Sequence, residues 1–227
     1  MATYVLSLGG SLIVPEKIDI LYLKKFVALV KHLSKKHRFV IITGGGSVAR
    51  LYIDALRKAG VPQEMQSWAG IKSCRLNAVL LNSLFGCLEP LPDSLQEVKF
   101  MLASRKIIVC AALGFQPNMT SDGTAAEIAA YVGADAFVNL TNVAGLFTRD
   151  PQKFKSAKLI PSISFTAFLR HAREIAYTPG QHFVLDQQAA KVILQEHMHT
   201  FIVDGHDIKN LEQCLSGKSF VGTVIHE

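Results

Sequence analysis

The sequence is poor in cysteine and lacks a long hydrophobic run, and each shortage excludes a class of protein. Its four cysteines, Cys74, Cys87, Cys110 and Cys214, are widely spaced and form no C-x-x-C pair. This pattern indicates reduced thiols in a cytosolic protein and argues against a disulfide-rich secreted one. The longest apolar stretch, residues 107–115, is far shorter than the ~20 residues that a membrane helix needs. We therefore expect no membrane partner.

The N-terminal residues and the charge balance exclude two further classes. Residues 1–4 carry no basic segment before the first strand-like run, so we expect no signal peptide and a cytoplasmic protein. Lys and Arg total 24 against 18 Asp and Glu, a net charge of +6, without a Lys/Arg run or an aromatic-basic motif. This modest, dispersed excess suits a small polyanion such as a nucleotide, and we expect no nucleic-acid partner.

Short β-rich runs alternate with helical segments along the chain. The 227 residues are 49% apolar, enough for one sizeable core, so we expect a single domain over residues 1–227. Strands that are apolar on both faces and separated by helices predict an α/β fold, a three-layer αβα sandwich with a mostly parallel central sheet. The predicted strands are residues 4–8, 39–42, 107–111, 136–140, 201–203 and 221–225, and the predicted helices are residues 20–33, 48–59, 73–85, 94–103, 123–132, 165–172, 187–196 and 208–215.

Three glycine- or hydroxyl-rich turns follow predicted strands. They are Gly9-Gly10-Ser11, Gly44-Gly45-Gly46-Ser47 and residues 114–122. The carboxyl ends of parallel strands form the ligand-binding edge of an open sheet. Backbone amides of such turns, together with a following helix N-terminus, bind phosphate oxygens. Three such turns at one edge predict a site for a large anion such as a nucleotide.

Several sequence blocks, in order along nearly the whole chain, carry a family resemblance. They are the two glycine turns with Arg50, the run Thr120-Ser121-Asp122-Gly123-Thr124-Ala125-Ala126, residues 141–151 and the closing residues 222–225. Together they resemble the amino-acid kinase superfamily and, within it, the UMP kinases of the archaeal type. The resemblance implies the amino-acid kinase (carbamate kinase-like) fold and transfer of the ATP γ-phosphoryl group to UMP, with Mg²⁺ held mainly through the ATP phosphates. It also implies a homo-oligomer, a hexamer by family pattern, with the N-terminal lobe mainly binding the acceptor and the C-terminal lobe mainly binding ATP.

The resemblance also assigns roles to individual residues. Asp122 falls where the superfamily places an acidic organiser of the phosphoryl-transfer centre. Arg50 lies about one helical turn beyond Gly46, and its guanidinium fork can reach back over the same phosphates. The ATP-binding residues that the resemblance implies are Gly9, Gly10, Ser11, Gly46, Arg50, Thr141, Phe147 and Asp150. The acceptor-binding residues that it implies are Gly45, Ser67, Phe115, Gln116, Pro117, Asn118, Met119, Thr120 and Ser121.

Several positions depart from the family pattern, and two of them bear directly on the predicted reaction. Ser7 stands where many members carry a lysine directed at the transferring phosphoryl group, a loss that archaeal UMP kinases share. Arg50, Lys17 and Lys72 are the alternatives for a replacement cation. Ser67 stands where UMP kinases place an aspartate that binds the acceptor ribose, and a serine hydroxyl is a weaker acceptor than a carboxylate.

These departures leave alternatives open. Ser67 is compatible with kinase chemistry on another small phosphorylated acceptor. Ser7, Ser67 and Ala144, which replaces an aspartate of the pattern, are compatible with a non-catalytic nucleotide or oxyanion binder similar to the molybdenum storage proteins. The intact Thr120-Ser121-Asp122 run favours the enzyme. Trp68 either lines the acceptor pocket or contacts another subunit.

Overall fold

A seven-stranded sheet forms the centre of the molecule. The computed structural model describes residues 1–87, 90–115, 119–174 and 185–227. The strands in these ranges are β1 (Thr3–Leu8), β2 (Arg38–Thr43), β3 (Ile107–Cys110), β4 (Ala136–Thr141), β5 (Ser162–Ser164), β6 (Thr200–Asp204) and β7 (Thr223–His226). Their order is β3-β2-β1-β4-β6-β7-β5, and adjacent strands are parallel except β6 and β7. The prediction of a mostly parallel sheet is confirmed.

The described ranges also contain the helices. They are α1 (Gly10–Ile13), α2 (Ile20–Leu33), α3 (Gly46–Lys58), α4 (Gln63–Phe85), α5 (Leu95–Ser104), α6 (Ser121–Val132), α7 (Phe165–Arg173), α8 (Gln187–Gln195) and α9 (Ile208–Leu215). None of the helices within these ranges is long and apolar enough to cross a membrane.

The sequence predicted the ends of some helices correctly and those of others incorrectly. The predicted bounds of α2 and α9 are confirmed at both ends, and Asp19 and Asp207 cap the first turns of these helices through side-chain hydrogen bonds. Helix α4 begins at Gln63, well before the predicted residue 73. The short elements α1 and β5 were not predicted. They span four and three residues, too few for a hydrophobic period to show.

Helices cover both faces of the sheet. Neighbouring residues of a strand point to opposite faces, and the core divides accordingly. Leu6 packs in a cluster with residues of α2, α4 and α9. Val5 packs in a second cluster with residues of α5, α6, α7 and α8. The predicted three-layer αβα sandwich is therefore confirmed.

Strand β1 lies where the order of the sheet changes direction. The chain passes from β1 to β2 on one side, and β4 pairs with β1 on the other side. In open parallel sheets a crevice forms beyond the carboxyl end of the strand at such a switch point, and ligands bind there. The residues that follow β1, β2 and β4 thus meet at one edge.

Candidate active site

The glycine turns after β1 and β2 pack backbone against backbone. A methyl group on Gly10 would lie 2.0 Å from the backbone nitrogen of Gly46 and 2.7 Å from that of Gly45. Gly46 has φ of +64°, a left-handed conformation that glycine adopts at little cost. Gly44 donates its amide to the carbonyl of Leu8 at 2.9 Å. Glycine in both turns therefore brings the starts of α1 and α3 side by side.

An open cavity of about 190 Å³ lies against these turns. A single buried water needs only roughly 10–15 Å³ by the same kind of measure, so the space is large enough for a ligand. Most of the predicted site residues line it: Gly9, Gly10, Ser11, Gly45, Gly46, Arg50, Ser67, Phe115, Met119, Thr120, Ser121, Asp122 and Thr141. Gln116, Pro117 and Asn118 lie outside the described residues.

Asp122 is held at the start of α6 by three polar neighbours. The hydroxyl of Thr120 accepts a hydrogen bond from the Asp122 backbone amide at 3.1 Å and so caps the helix. The hydroxyl of Ser7 and the side-chain amide of Asn139 both donate to Asp122 Oδ1, at 2.5 and 3.0 Å. Among the described residues, Asp122 is the only carboxylate that lines the cavity.

The surroundings of Asp122 favour its neutral form. Burial raises the pKa of Asp122 to about 7; the Ser7 hydrogen bond opposes the rise, the charge of Asp186 adds to it, and the Asn139 hydrogen bond opposes it. The carboxyl group therefore titrates near neutral pH, where small changes in its neighbours alter its charge.

Asp186 anchors the segment that precedes Asp122. Its Oδ2 accepts the Thr120 amide at 2.9 Å and the Thr120 hydroxyl at 2.6 Å, while its Oδ1 accepts the Ala189 amide at 2.7 Å and caps α8. A methyl group on Gly123 would lie 3.1 and 3.3 Å from these two oxygens, so glycine allows the close approach. Asp186 is only 3% exposed, and its carboxylate accepts three hydrogen bonds, since buried polar groups usually have hydrogen-bond partners.

Sequence reasoning did not place Ser7, Asn139 or Asp186 in the site. The family pattern marks Ser7 only as the position of a missing lysine, and it gives Asp186 no individual role. Polar residues inside the otherwise apolar strands β1 and β4 were the available signal, since Ser7 and Asn139 are 1% and 3% exposed. A buried polar group in a strand requires a partner, and here the partner of both is Asp122.

Of the three alternatives for a replacement cation, only Arg50 lines the cavity. Burial lowers the pKa of the Arg50 guanidinium, which still remains charged because arginine does not deprotonate in proteins. Lys17 is exposed, and Lys72 is exposed with its Nζ 5.9 Å from the centre of the Trp68 ring. Of the three, Arg50 is therefore the residue whose charge is available to a ligand in the cavity.

We expect Arg50→Met to lower kcat/KM for ATP by about 10- to 100-fold, the scale of one or two hydrogen bonds to a charged group. Lys17→Met and Lys72→Met serve as matched controls, because each removes one positive charge outside the cavity. Steady-state kinetics at several ATP concentrations measures the effect. A normal kcat/KM in Arg50→Met together with a loss in either lysine variant would move the cation role to that lysine.

The cavity lining also includes an aromatic side chain, that of Phe115, and a hydroxyl group, that of Ser67. Phe115 stacks on Trp68 with ring centres 6.2 Å apart and planes inclined by 30°. Trp68 does not line the cavity itself, so it supports Phe115 from behind. The Ser67 hydroxyl donates to the Gln63 carbonyl at 3.0 Å, which leaves the lone pairs of its oxygen able to accept from a ligand hydroxyl.

Phe147 and Asp150 do not reach this cavity. Phe147 forms an antiparallel bridge with Leu159. Asp150 accepts the Gln152 amide at 2.9 Å and pairs with Lys153 at 3.6 Å. Their contact with adenosine stays a prediction, and it requires a nucleotide that extends beyond the cavity past Thr141.

Comparison with known proteins agrees with this geometry. The fold and the site define a phosphotransferase enzyme, and the chain belongs to the amino acid kinase family, whose model matches residues 2–204. Among its relatives, the uridylate kinase of Methanobrevibacter smithii is 31% identical over 97% of both chains, and that of Methanoregula boonei is 34% identical over 95% of this chain and 92% of the relative.

Solved structures give the same result. The crystal structure of uridylate kinase from Archaeoglobus fulgidus superposes with a TM-score of 0.85 at 30% identity, covering 99% of this chain and 100% of the other. The UMP kinase of Bacillus anthracis superposes with a TM-score of 0.82 over 99% of this chain and 96% of the other. Its 17% identity supports the shared fold alone.

Proposed function

We propose that this protein is a UMP kinase that transfers the γ-phosphoryl group of ATP to UMP and produces UDP and ADP. The observation that carries the proposal is the convergence of two glycine turns, Arg50 and Asp122 on one cavity. The relatives named uridylate kinase support the choice of UMP as acceptor.

Phosphoryl transfer depends on positioning and on stabilisation of charge rather than on covalent catalysis. Amides of the turns at Gly10 and Gly46 would bind ATP phosphate oxygens, and Arg50 would neutralise the charge that develops on the transferring group. Ser67, Phe115 and the segment 119–121 would hold the acceptor nucleotide, with Gly45 beside its phosphate. The predicted acceptor contacts of Gln116, Pro117 and Asn118 belong to the same proposal.

The site is also compatible with Mg²⁺. Magnesium is usually bound through one or two carboxylates together with substrate phosphates. The described residues form no cluster of three or more His, Cys, Asp or Glu side chains that could hold a metal ion by themselves, so a Mg²⁺ ion here would depend on the phosphates for most of its ligands. We propose that Mg²⁺ is held mainly by the ATP phosphates, where it would reduce the negative charge between the two nucleotides.

A nucleotide panel tests the function. The protein is incubated with ATP, Mg²⁺ and UMP, CMP, AMP or GMP in turn, and release of ADP is measured. We expect turnover with UMP to exceed that with the other acceptors. Preferred turnover of another acceptor would replace UMP with that compound. ATP binding by calorimetry without ADP release from any acceptor would contradict the enzyme and favour a non-catalytic nucleotide binder.

We further propose a homo-oligomer, a hexamer by family pattern, located in the cytoplasm. The neighbouring helices α3 and α4 support association, because they carry apolar side chains that are more than half exposed in the single chain: Leu51, Tyr52, Met65, Leu76 and Val79. Free thiols at all four cysteines fit a reducing compartment. Light scattering coupled to gel filtration measures the mass in solution.

A further inference from the structure

Two neutral side chains hold the Asp122 carboxylate from adjacent strands. Ser7 of β1 and Asn139 of β4 are direct partners in the parallel register. Directly paired residues on adjacent parallel strands project to the same face of the sheet, so both side chains reach α6. Both donate to the same oxygen, Oδ1 of Asp122. The buried carboxylate is therefore fixed by two uncharged donors, and no ion pair to it is formed within the described residues.

We propose that Ser7 and Asn139 are positioning residues for phosphoryl transfer, which together hold Asp122 Oδ1 and keep its Oδ2 available to the reacting centre. The role rests on the proposed kinase function. The replacement of the family lysine by Ser7 is then more than a loss, because the serine hydroxyl takes over the orientation of Asp122. Among the described residues no ion pair offsets the negative charge of the ionised carboxylate, as a lysine at position 7 would.

The two hydrogen bonds from Ser7 and Asn139 to Asp122 Oδ1, here called the clamp, should also set the pH at which the site becomes active. Burial and Asp186 raise the pKa of Asp122, and the hydrogen bonds from Ser7 and Asn139 lower it, to give about 7. The other titratable groups near Asp122 are Arg50, which lines the same cavity, and Cys74. Burial raises the pKa of Cys74 to about 12, so this thiol stays neutral across the working range. Loss of either donor should raise the pKa of Asp122 further.

The first experiment measures kcat against pH for Ser7→Ala with saturating ATP and UMP. Removal of one hydrogen bond to a charged group should move the acidic limb of the profile upward by roughly one pH unit. We expect kcat near pH 6.5 to fall about 10-fold, to recover partly at pH 9, and KM for ATP to change less than threefold. Asn139→Asp, which is nearly isosteric but replaces the donor with a second carboxyl group, should shift the limb further.

Two further variants separate positioning from structural support. Ser7→Cys keeps the side-chain volume with a weaker donor and should fall between wild type and Ser7→Ala, which keeps the test usable if Ser7→Ala is unstable. Thr200→Val is the matched control, because it removes a buried sheet hydroxyl that donates to the Met198 carbonyl away from the cavity. This control should keep the wild-type pH profile.

Carboxyl-carbon NMR titration of Asp122 in the ligand-free protein gives a readout that needs no turnover. The proposal requires a higher pKa of Asp122 in Ser7→Ala than in wild type. An unchanged pKa and an unchanged acidic limb in both Ser7→Ala and Asn139→Asp would overturn the clamp while leaving the kinase intact. A wild-type protein without activity on UMP, but with the pKa shift present, would contradict the proposed function and leave the hydrogen-bond clamp in place.

Discussion

Replacement of Asp122 by asparagine is expected to lower kcat by about 10²-fold or more, the scale found when one electrostatic stabiliser of a transition state is removed. Asparagine keeps a carbonyl oxygen that can still accept from Ser7 and Asn139, so the local structure should persist. ATP binding should survive, because the glycine turns and Arg50 are unchanged. The substitution thus removes the charge of the residue and little else.

Calorimetry with ATP and a coupled assay of ADP release measure the two quantities separately. Asp54→Asn is the matched control, since Asp54 forms an exposed pair with Lys58 on α3 at 2.7 Å, and such surface pairs contribute little to stability. An unchanged kcat in Asp122→Asn would remove Asp122 from the reaction. A loss of ATP binding equal to the loss of kcat would assign it to ground-state binding instead.

The same variant should show a pH-dependent gain in stability. The folded-state pKa of Asp122, about 7, lies above the value of roughly 3.9 for an unfolded chain. Between these values the folded state binds more protons than the unfolded state, so this group stabilises the fold at low pH and loses that effect as pH rises through 7. Asp122→Asn should therefore raise Tm relative to wild type more at pH 8 than at pH 5. Thermal scans at both pH values check the sign.

A single methyl group at Gly10 is expected to damage both folding and ATP binding. The added carbon in Gly10→Ala would meet three backbone atoms of the second glycine turn within 2.7 Å, and backbone moves less readily than a side-chain end. Overpacking of this kind costs about 3 kcal/mol or more, or roughly 6–12 °C in Tm for a chain of this size. ATP affinity should fall at least tenfold, because the amides of both turns would be displaced.

Gly70→Ala is the control for the stability measurement. Its methyl group would meet only the flexible end of Ile53, at 3.3 Å, and alanine favours the interior of α4. We expect its Tm to stay within about 2 °C of wild type. Equal Tm values for Gly10→Ala and Gly70→Ala would show that the two glycine turns do not need the close contact that the structure describes.

The sequence was sufficient wherever the signal is local. The apolar spacing within residues 20–33 and 208–215 fixed α2 and α9, and the glycine runs after β1 and β2 marked the edge at which the cavity lies. The family resemblance added Asp122 and Arg50, both of which line that cavity. It also predicted that Phe147 and Asp150 contact ATP. Neither residue lines the cavity, and these contacts stay a prediction.

The sequence alone could not identify which cation lines the cavity or which residues contact Asp122. Lys17, Arg50 and Lys72 all carry a positive charge, and only their positions relative to the cavity separate them. Ser7 and Asp186 lie 115 and 64 residues from Asp122 along the chain, and no periodicity within a segment reports on contacts at that range.

By itself, the sequence determined the α/β sandwich, the positions of the two glycine turns and the family, because hydrophobic spacing, glycine runs and sequence motifs each involve a few neighbouring residues. Only the tertiary structure decided that two neutral side chains hold Asp122 and that, of the three candidate cations, Arg50 lines the cavity. The physical reason is that the register of β1 against β4, and the packing of α3 and α6 at the same edge, bring together groups that are distant in the chain.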